Sequence, residues 1–405
     1  MPRKDHVVHP NFDSGHSFIN SEDAGAFEVN WTHRLLTTRD ALAPSNTLLA
    51  DLLPDEDGPV RMIAILDQGL VAAHPELPTQ VQLWAEANPR SVRLVGDAVV
   101  VPGGEQAKND FGVFNTTAQA INERGICRKS FVLAAGGGAV LDAVGYAAAS
   151  THRGVRMLRM PTTTLAQADA GIGVKNGINA YGKKNFLGSF SPPWAVVNDT
   201  NLLTSLSDRD WRSGLSESVK VALLKDPEFF EELRRLAART RQRDLDAMEM
   251  IVRRTACLHM DHIVHGGDPF ELTIARPLDF GHWSAHKLEQ MTEFEVAHGE
   301  AVAIGLAIDL TYAAMIGRLD ESILRSARRC LIDLGFSLDH PALEQHDVLL
   351  EGLREFREHL GGRLTITLIE DVGRPVDVHE IDLATMRRAI DDVRTAAMNE
   401  SSRAG

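Results

Sequence analysis

The sequence has few cysteines, and it lacks both a long uncharged apolar run and a dense block of basic residues. Its three cysteines, Cys127, Cys257 and Cys330, are too few and too widely spaced for a disulfide framework or a zinc knuckle. The most apolar segment is interrupted by Glu300 and Asp309, which argues against a membrane span. The first residues contain no apolar signal-peptide core. We therefore expect a cytoplasmic protein with reduced thiols.

The composition limits the possible partners. With 42 basic and 56 acidic residues the formal net charge is −14, which disfavours nucleic acid or an anionic membrane as the main partner. A chain of 405 residues, 44% of them hydrophobic, can bury ordinary cores and is expected to be a globular enzyme of two domains. A small anionic substrate would then require a local basic pocket.

Apolar runs alternate with helical patterns in the first half of the chain. The runs at 61–70, 92–101 and 128–138 predict strands of a parallel sheet covered on both faces. The preceding residues look irregular, and the pattern changes near 205–211. The expected segments are a lead-in over 1–60, an α/β domain over 61–207, a helical domain over 208–395 and a tail over 396–405.

The second half has a helical pattern almost throughout. Asp226 is a plausible N-cap, and Pro227 follows it at the first helical position. The pattern continues to about residue 338, with a loop near 263–275. We therefore predict an all-α domain.

A glycine-rich turn follows the third apolar run. Gly136, Gly137 and Gly138 separate it from a helix of small residues, and such a turn lets a phosphate approach backbone N–H groups at a helix N-terminus. The alternative is a tight strand–helix turn that serves packing alone. Upstream, Glu105 and Lys108 could reach a nucleotide or lie in a solvated loop. The turn does not have the G-x-G-x-x-G spacing.

Residues 161–190 are rich in glycine, asparagine and lysine and follow neither the helix nor the strand period. Long structured loops of this kind are usually functional. Lys175, Lys183 and Lys184 could supply the basic pocket for a phosphate.

Histidines are concentrated in one C-terminal stretch. His282 and His286 are four positions apart, so a helix would place them on one face, and His298 begins a long apolar helix. Metal binding is the leading interpretation, and packed core histidines are the alternative. Glu217 and Lys220 would place a carboxylate beside a cation on one helix face, or would form a surface ion pair.

Seven ordered motifs resemble those of 3-dehydroquinate synthase and the wider sugar phosphate cyclases. They read GGGAVLD, RGV, PTTTLAQADAGIGVK, GKKN, GLSESVK, GH and HGEAVA, within roughly residues 60 to 370. The resemblance implies a dehydroquinate synthase-like fold, with an α/β NAD-binding domain followed by an all-α metal-binding domain, and a homodimer. It also implies a carbon–oxygen lyase that uses NAD without consuming it, together with one divalent ion, usually zinc or cobalt. In this family a substrate carbon is oxidised, phosphate is eliminated, the carbonyl is reduced again and an aldol step closes the ring.

The resemblance also implies roles for individual residues. Arg153 would act from the partner subunit, Asp169 near the nicotinamide and Lys220 near the reacting hydroxyls. The implied metal ligands are Glu217, His282 and His298. The implied cofactor-binding residues are Glu105, Lys108, Gly136, Gly137, Gly138, Asp142, Thr162, Thr163, Asp169 and Lys184. The implied catalytic and substrate-binding residues are Lys175, Asn185, Lys220, His286, Arg153 and Asp279.

The sequence departs from the 3-dehydroquinate synthase pattern where those enzymes hold a substrate carboxylate. Their arginine is replaced by Ala275, with Arg276 one place off, and their upstream lysine falls near His259 or Met260. Their asparagine is Asp279 here. Two like charges about 4 Å apart repel by about 4 kcal/mol at an effective dielectric near 20, so Asp279 should disfavour a carboxylate-bearing substrate.

The substrate prediction follows from these departures. The pattern is closer to valiolone-type cyclases acting on sedoheptulose 7-phosphate, and the block DFGHWSAHKLE resembles Ebo-type cyclases. One alternative is a true 3-dehydroquinate synthase acting on the heptulosonate phosphate. Another is a metal-dependent oxidoreductase of the glycerol dehydrogenase type, and a third is a binding protein that has lost turnover.

Overall fold

A seven-stranded parallel sheet forms the centre of the N-terminal half of the protein. The computed structural model describes residues 29–55, 58–266, 270, 279–359 and 363–404. Residues 29–32 belong to a separate unit and contain neither helix nor strand, and the chain from residue 33 forms one unit. The strands of this half are β1 (Leu35–Thr38), β2 (Val60–Asp67), β3 (Val92–Leu94), β4 (Val99–Val101), β5 (Phe131–Gly136), β6 (Arg156–Pro161), β7 (Lys175–Ala180), β8 (Lys183–Phe190) and β9 (Ala195–Asp199). The sheet order is β1-β9-β6-β5-β2-β3, with β4 also beside β2.

Helices cover both faces of this sheet. They are α1 (Leu48–Asp51), α2 (Gln68–Ala73), α3 (Leu77–Ala87), α4 (Gly112–Glu123) and α5 (Gly138–Ser150). Successive side chains of a strand point to opposite faces. Met62 of β2 therefore packs in one core with Trp84 of α3, and its neighbour Ile63 packs in a second core with Val144 of α5. The predicted α/β domain with a parallel sheet is confirmed.

Strand β1 and helix α1 lie within the lead-in that we expected to be irregular. Leu35 lies opposite Val196 and Thr38 opposite Asp199, so β1 extends the parallel sheet beyond β9. The expectation is wrong for these two elements. A strand of four residues is too short to show the two-residue hydrophobic period by which strands are recognised.

The segment 161–190, which showed no periodicity, also contains regular structure. A π-helical turn spans Ala166–Ala170, and β7 and β8 form an antiparallel hairpin. Tyr181 and Gly182 connect the strands with φ angles of 53° and 73°, as a type I′ turn requires. Most residues of β8 are exposed, so no apolar alternation reveals the strand in the sequence.

Nine α-helices lie in the described C-terminal residues from 208 onwards. They are α6 (Asp208–Ser213), α7 (Leu215–Lys225), α8 (Pro227–Arg241), α9 (Leu245–His265), α10 (His282–Met291), α11 (His298–Met315), α12 (Glu321–Asp333), α13 (His346–His359) and α14 (Leu383–Ala404). The predicted cap of α8 is present, since the carboxylate of Asp226 accepts a hydrogen bond from the backbone N–H of Phe229. A short antiparallel hairpin, β10 (Ile366–Asp371) with β11 (Arg374–Val378), accompanies the helices.

Helix α11 is the central helix of this half. It is buried on nearly all sides and contacts α7, α10, α12 and α14, as expected for a helix that is apolar around its whole circumference. The predicted loop near 263–275 overlaps the end of α9. Ala275 and Arg276 lie outside the described residues. Within the described ranges, no helix combines the length and apolarity needed to cross a bilayer.

Candidate metal and cofactor site

Three potential metal ligands from three helices converge. Glu217 lies in the first turn of α7, His282 begins α10 and His298 begins α11. One donor atom from each lies within 4.8 Å of the other two, and Glu217 Oε1 is 3.6 Å from the Nε2 atom of each histidine. A tetrahedral ion with bonds of about 2.1 Å holds its ligands about 3.4 Å apart. The three side chains therefore fit a divalent ion.

Each histidine is oriented through its other ring nitrogen. His282 Nδ1–H donates to the carbonyl oxygen of Phe280 at 3.0 Å, and His298 Nδ1 lies 3.2 Å from Glu289 Oε2. This arrangement turns both Nε2 atoms towards Glu217, as partners of metal-binding histidines commonly do. Burial lowers the pKa of His282 to about 3, so this imidazole is neutral, as a ligand must be.

Glu217 is a buried, ionised carboxylate with one unsatisfied oxygen. Its Oε2 forms an ion pair with Lys220, and the two residues are 0% and 3% exposed. Burial alone would raise the pKa of Glu217, but Lys220 and His298 outweigh it and lower the pKa. Oε1 has no hydrogen-bond partner among the described residues. Because such a buried oxygen is costly without a partner, it marks the position where a cation would bind.

Asp169 and His259 form a hydrogen-bonded pair near these residues. His259 Nδ1 lies 2.8 Å from Asp169 Oδ1, and His259 is buried. His259 and Lys220 lower the pKa of Asp169 in spite of its burial. His259 lies near the position where the resemblance places the upstream lysine, and here it orients the carboxylate of Asp169. Its neighbour Met260 packs against an apolar cluster instead.

The glycine turn between β5 and α5 is closely packed. A Cβ atom added to Gly138 would lie 3.0 Å from the Cβ of Ala170, next to Asp169 in the π-helical turn. Thr162 donates its backbone N–H to the carbonyl of Gly136, and Thr163 Oγ1 accepts from the N–H of Ala166. Thr162, Thr163 and Asp169 thus lie close to the turn, and their assignment to NAD stays a prediction.

Four further residues predicted to bind cofactor or substrate lie in the α/β half. Lys108 is buried and forms a 2.6 Å ion pair with Asp142, whose pKa is raised by burial in spite of that lysine. Glu105 is exposed at the start of the same short helical turn as Lys108. Arg153 is exposed where α5 ends, in the left-handed conformation with φ 61°. Its assignment to a partner's substrate stays a prediction.

The β7–β8 hairpin places Lys184 beside Glu289, the partner of the candidate metal ligand His298. Lys184 Nζ lies 3.5 Å from Glu289 Oε1 and 4.5 Å from the ring centre of Phe294, both in the helical half. Asn185 follows Lys184, and its N–H bonds the side chain of Asn179. Lys175 begins β7 and is exposed.

His286 lies one turn along α10 from His282, with ring centres 5.4 Å apart. Its donor atoms also group with those of Glu289 and His298 within 4.8 Å. The position of His286 therefore allows contact with either a substrate phosphate or a metal ion.

Two adjacent family models match the chain. The model described as 3-dehydroquinate synthase N-terminal matches residues 98–213, and the one described as 3-dehydroquinate synthase C-terminal matches residues 214–355. A 3-dehydroquinate synthase from Dictyoglomus thermophilum (strain ATCC 35947 / DSM 3960 / H-6-12) is 31% identical over 293 residues, which cover 72% of this chain and 81% of the relative. The chain belongs to the 3-dehydroquinate synthase family. It is a sugar phosphate cyclase, a carbon–oxygen lyase that eliminates phosphate.

Solved structures of cyclases resemble this family member along most of its length. The 2-epi-5-epi-valiolone synthase from Streptomyces hygroscopicus subsp. jinggangensis 5008, with NAD+ and Zn2+ bound, is 27% identical with a TM-score of 0.81, covering 91% of this chain and 99% of that chain. A 2-deoxy-scyllo-inosose synthase complexed with carbaglucose-6-phosphate, NAD+ and Co2+ is 22% identical with a TM-score of 0.72, covering 88% and 96%. The second likeness shows the shared fold.

Sequence reasoning missed three residues around the candidate metal ligands of this cyclase. Glu289 orients His298, His259 pairs with Asp169, and Asp309 contacts the start of α10. The spacing of Glu289 from His282 and His286 on one helix could have suggested the first. The other two depend on contacts between distant segments, which no local pattern signals.

Proposed function

We propose that this cyclase acts on sedoheptulose 7-phosphate, eliminates its phosphate and closes a valiolone-type carbocycle, with NAD and one divalent ion as cofactors. The observation that carries the substrate assignment is the acidic side chain of Asp279. The solved valiolone synthase, with NAD+ and Zn2+ bound, supports the same assignment.

Asp279 lies at the entrance to α10, three residues before the metal-binding candidate His282, and is half-buried. Its negative charge acts on Lys220 and helps to raise the pKa of that ammonium against the effect of burial. A substrate carboxylate about 4 Å from Asp279 would be repelled by about 4 kcal/mol, or about three powers of ten in affinity. Substrate hydroxyls could instead donate hydrogen bonds to Asp279.

Basic side chains near the candidate metal ligands already have carboxylate partners. Lys220 pairs with Glu217, Lys184 pairs with Glu289, and His259 Nδ1 lies within hydrogen-bonding distance of Asp169. A second carboxylate, brought by a substrate, would have to compete for them. A substrate that carries hydroxyls and a single phosphate matches this arrangement better.

The residues present suit the two cofactors. Glu217, His282 and His298 would hold the metal ion, and the glycine turn before α5 would receive the NAD phosphates. When bound, the metal supplies Lewis-acid polarisation of a substrate oxygen and NAD supplies a hydride acceptor.

The roles proposed for the other candidate polar side chains are as follows. Lys220, beside Glu217, can donate to a reacting hydroxyl, and Asp279 can accept from one. Lys175, Asn185 and His286 would hold the phosphate. We further propose a cytoplasmic homodimer in which Arg153 reaches the phosphate bound by the partner subunit.

A 3-dehydroquinate synthase acting on the heptulosonate phosphate is the second candidate. The 31% identity to an enzyme of that name favours it. Arg276, which could restore the carboxylate contact, lies outside the described residues.

Phosphate release distinguishes these functions. The protein is incubated with NAD, zinc or cobalt, and either sedoheptulose 7-phosphate or the heptulosonate phosphate. We expect phosphate from the first substrate without accumulation of NADH. Release from the heptulosonate phosphate alone would overturn the substrate assignment, and NADH without phosphate would point to a dehydrogenase.

The variant Asp279→Asn tests the charge argument directly, because asparagine retains the side-chain size. We expect the ratio of kcat/KM values to shift towards the heptulosonate phosphate, by up to about a thousandfold. An unchanged ratio would show that Asp279 does not select against the carboxylate.

A further inference from the structure

A buried carboxylate from the middle of α11 holds the first turn of α10. Asp309 is fully buried, and each of its oxygens accepts one hydrogen bond. Oδ2 accepts from the backbone N–H of Gly281 at 3.0 Å, and Oδ1 accepts from the indole N–H of Trp283 at 2.8 Å. Trp283 is itself only 1% exposed. The two donors flank His282.

The backbones of the two helices touch beside this contact. Gly281 has φ 77°, and a Cβ atom there would lie 2.8 Å from the backbone nitrogen of Leu306. A Cβ atom on Gly305 would lie 2.0 Å from the carbonyl oxygen of Gly281. The start of α10 therefore rests directly on α11. The hydrogen bonds to Asp309 lie one turn of α11 beyond Gly305, at the same contact.

This contact joins the helices that carry two of the three metal-binding candidates. His282 begins α10, and His298 begins α11 about three turns before Asp309. A slide or rotation of one helix against the other would change the separation of the two imidazoles. Burying a carboxylate between two helices also costs desolvation free energy, and apolar residues at such a contact often give a more stable packing. Positioning of the ligands gives a reason for its presence.

We propose that Asp309 and Trp283 are positioning residues that set the separation of His282 from His298 and thereby the affinity for the divalent ion. This inference rests on the metal site of the proposed function.

The test compares two tryptophan variants. Trp283→Phe retains the aromatic ring and removes only the N–H donor. Trp211→Phe is a matched control, because Trp211 is 3% exposed and donates its indole N–H at 2.8 Å to the carbonyl of Thr240 in α8, a helix that carries none of the three ligands. Zinc and cobalt affinities are measured on metal-free protein by competition with a chelator, and the melting temperature of the metal-free protein is measured in parallel.

We expect Trp283→Phe to weaken metal binding by about tenfold or more, as loss of supporting contacts around a metal site usually does. It should also alter the visible spectrum of the cobalt-loaded protein. Trp211→Phe should change neither, although both variants lose a similar amount of thermal stability. Asp309→Asn, which retains the side-chain size, should weaken metal binding at least as much as Trp283→Phe and tests the inference if that variant does not fold.

Three results would overturn this inference and leave the proposed metal site standing. The first two are metal affinities of Trp283→Phe or of Asp309→Asn equal to that of the unaltered protein. The third is a loss of metal affinity in Trp211→Phe as large as that in Trp283→Phe. Failure of the unaltered protein to bind zinc or cobalt would overturn the proposed metal site, and this inference with it. The measurement on the unaltered protein separates these two kinds of failure.

Discussion

The substitution Glu217→Gln tests the metal site most severely, because it removes one charge and almost no volume. Glu217 is fully buried and Lys220 nearly so, and the two form an ion pair. Glutamine would leave the ammonium of Lys220 buried without its carboxylate, which costs about 3–5 kcal/mol. At about 2–4 °C per kcal/mol for a domain of this size, the melting temperature of the metal-free protein should fall by about 6–20 °C.

The same substitution removes a charged candidate ligand of the metal ion. Losing a contact outside the ligand shell costs about 10–100-fold in metal affinity, so losing the ligand itself should cost at least about a hundredfold. Zinc or cobalt competition with a chelator measures this loss. Differential scanning calorimetry measures the stability.

The double variant Glu217→Gln/Lys220→Met separates stability from ligation. Replacing both partners of a buried ion pair by uncharged residues is often neutral or stabilising. We therefore expect the double variant to regain most of the lost melting temperature while metal binding stays weak. The reasoning fails if Glu217→Gln retains nearly the original metal affinity, or if the double variant is as unstable as the single one.

Three further predictions concern the neighbouring residues. Lys175→Met should weaken sugar phosphate binding far more than NAD binding, and equal losses would reassign Lys175 to the cofactor. His259→Phe removes the 2.8 Å partner of Asp169 and should lower kcat/KM at least about tenfold, because a hydrogen bond to a charged group contributes about 1.5–3 kcal/mol; an unchanged kcat/KM would contradict this. Burial opposes protonation of His298, but the adjacent carboxylates of Glu217 and Glu289 raise its pKa to about 10. At about pH 7.5 the histidine is therefore protonated and must lose its proton to bind a metal ion. Metal binding should release about one proton and become stronger as the pH rises. Calorimetry in buffers of different ionisation enthalpy counts that proton, and a count near zero would refute the argument.

Local features of the fold could be predicted from the sequence because their causes are local. The cap formed by Asp226 and the turn at Gly137 depend on a few neighbouring residues. The long apolar run after His298 is enough to predict a buried helix. By contrast, the short strand β1 and the exposed strand β8 show no readable period, and their place in the sheet or hairpin depends on distant partners.

The candidate site divides in the same way. The residue types of its candidate metal ligands and the spacing of His282 and His286 can be read from the chain alone. Whether Glu217 meets His282, and whether His259 meets Asp169, was decided only by tertiary structure. The physical reason is that a sequence pattern determines which face of a helix is apolar. Close packing between segments far apart in the chain determines which helices meet and where along their lengths they touch. The contact of Gly281 with α11 is an example.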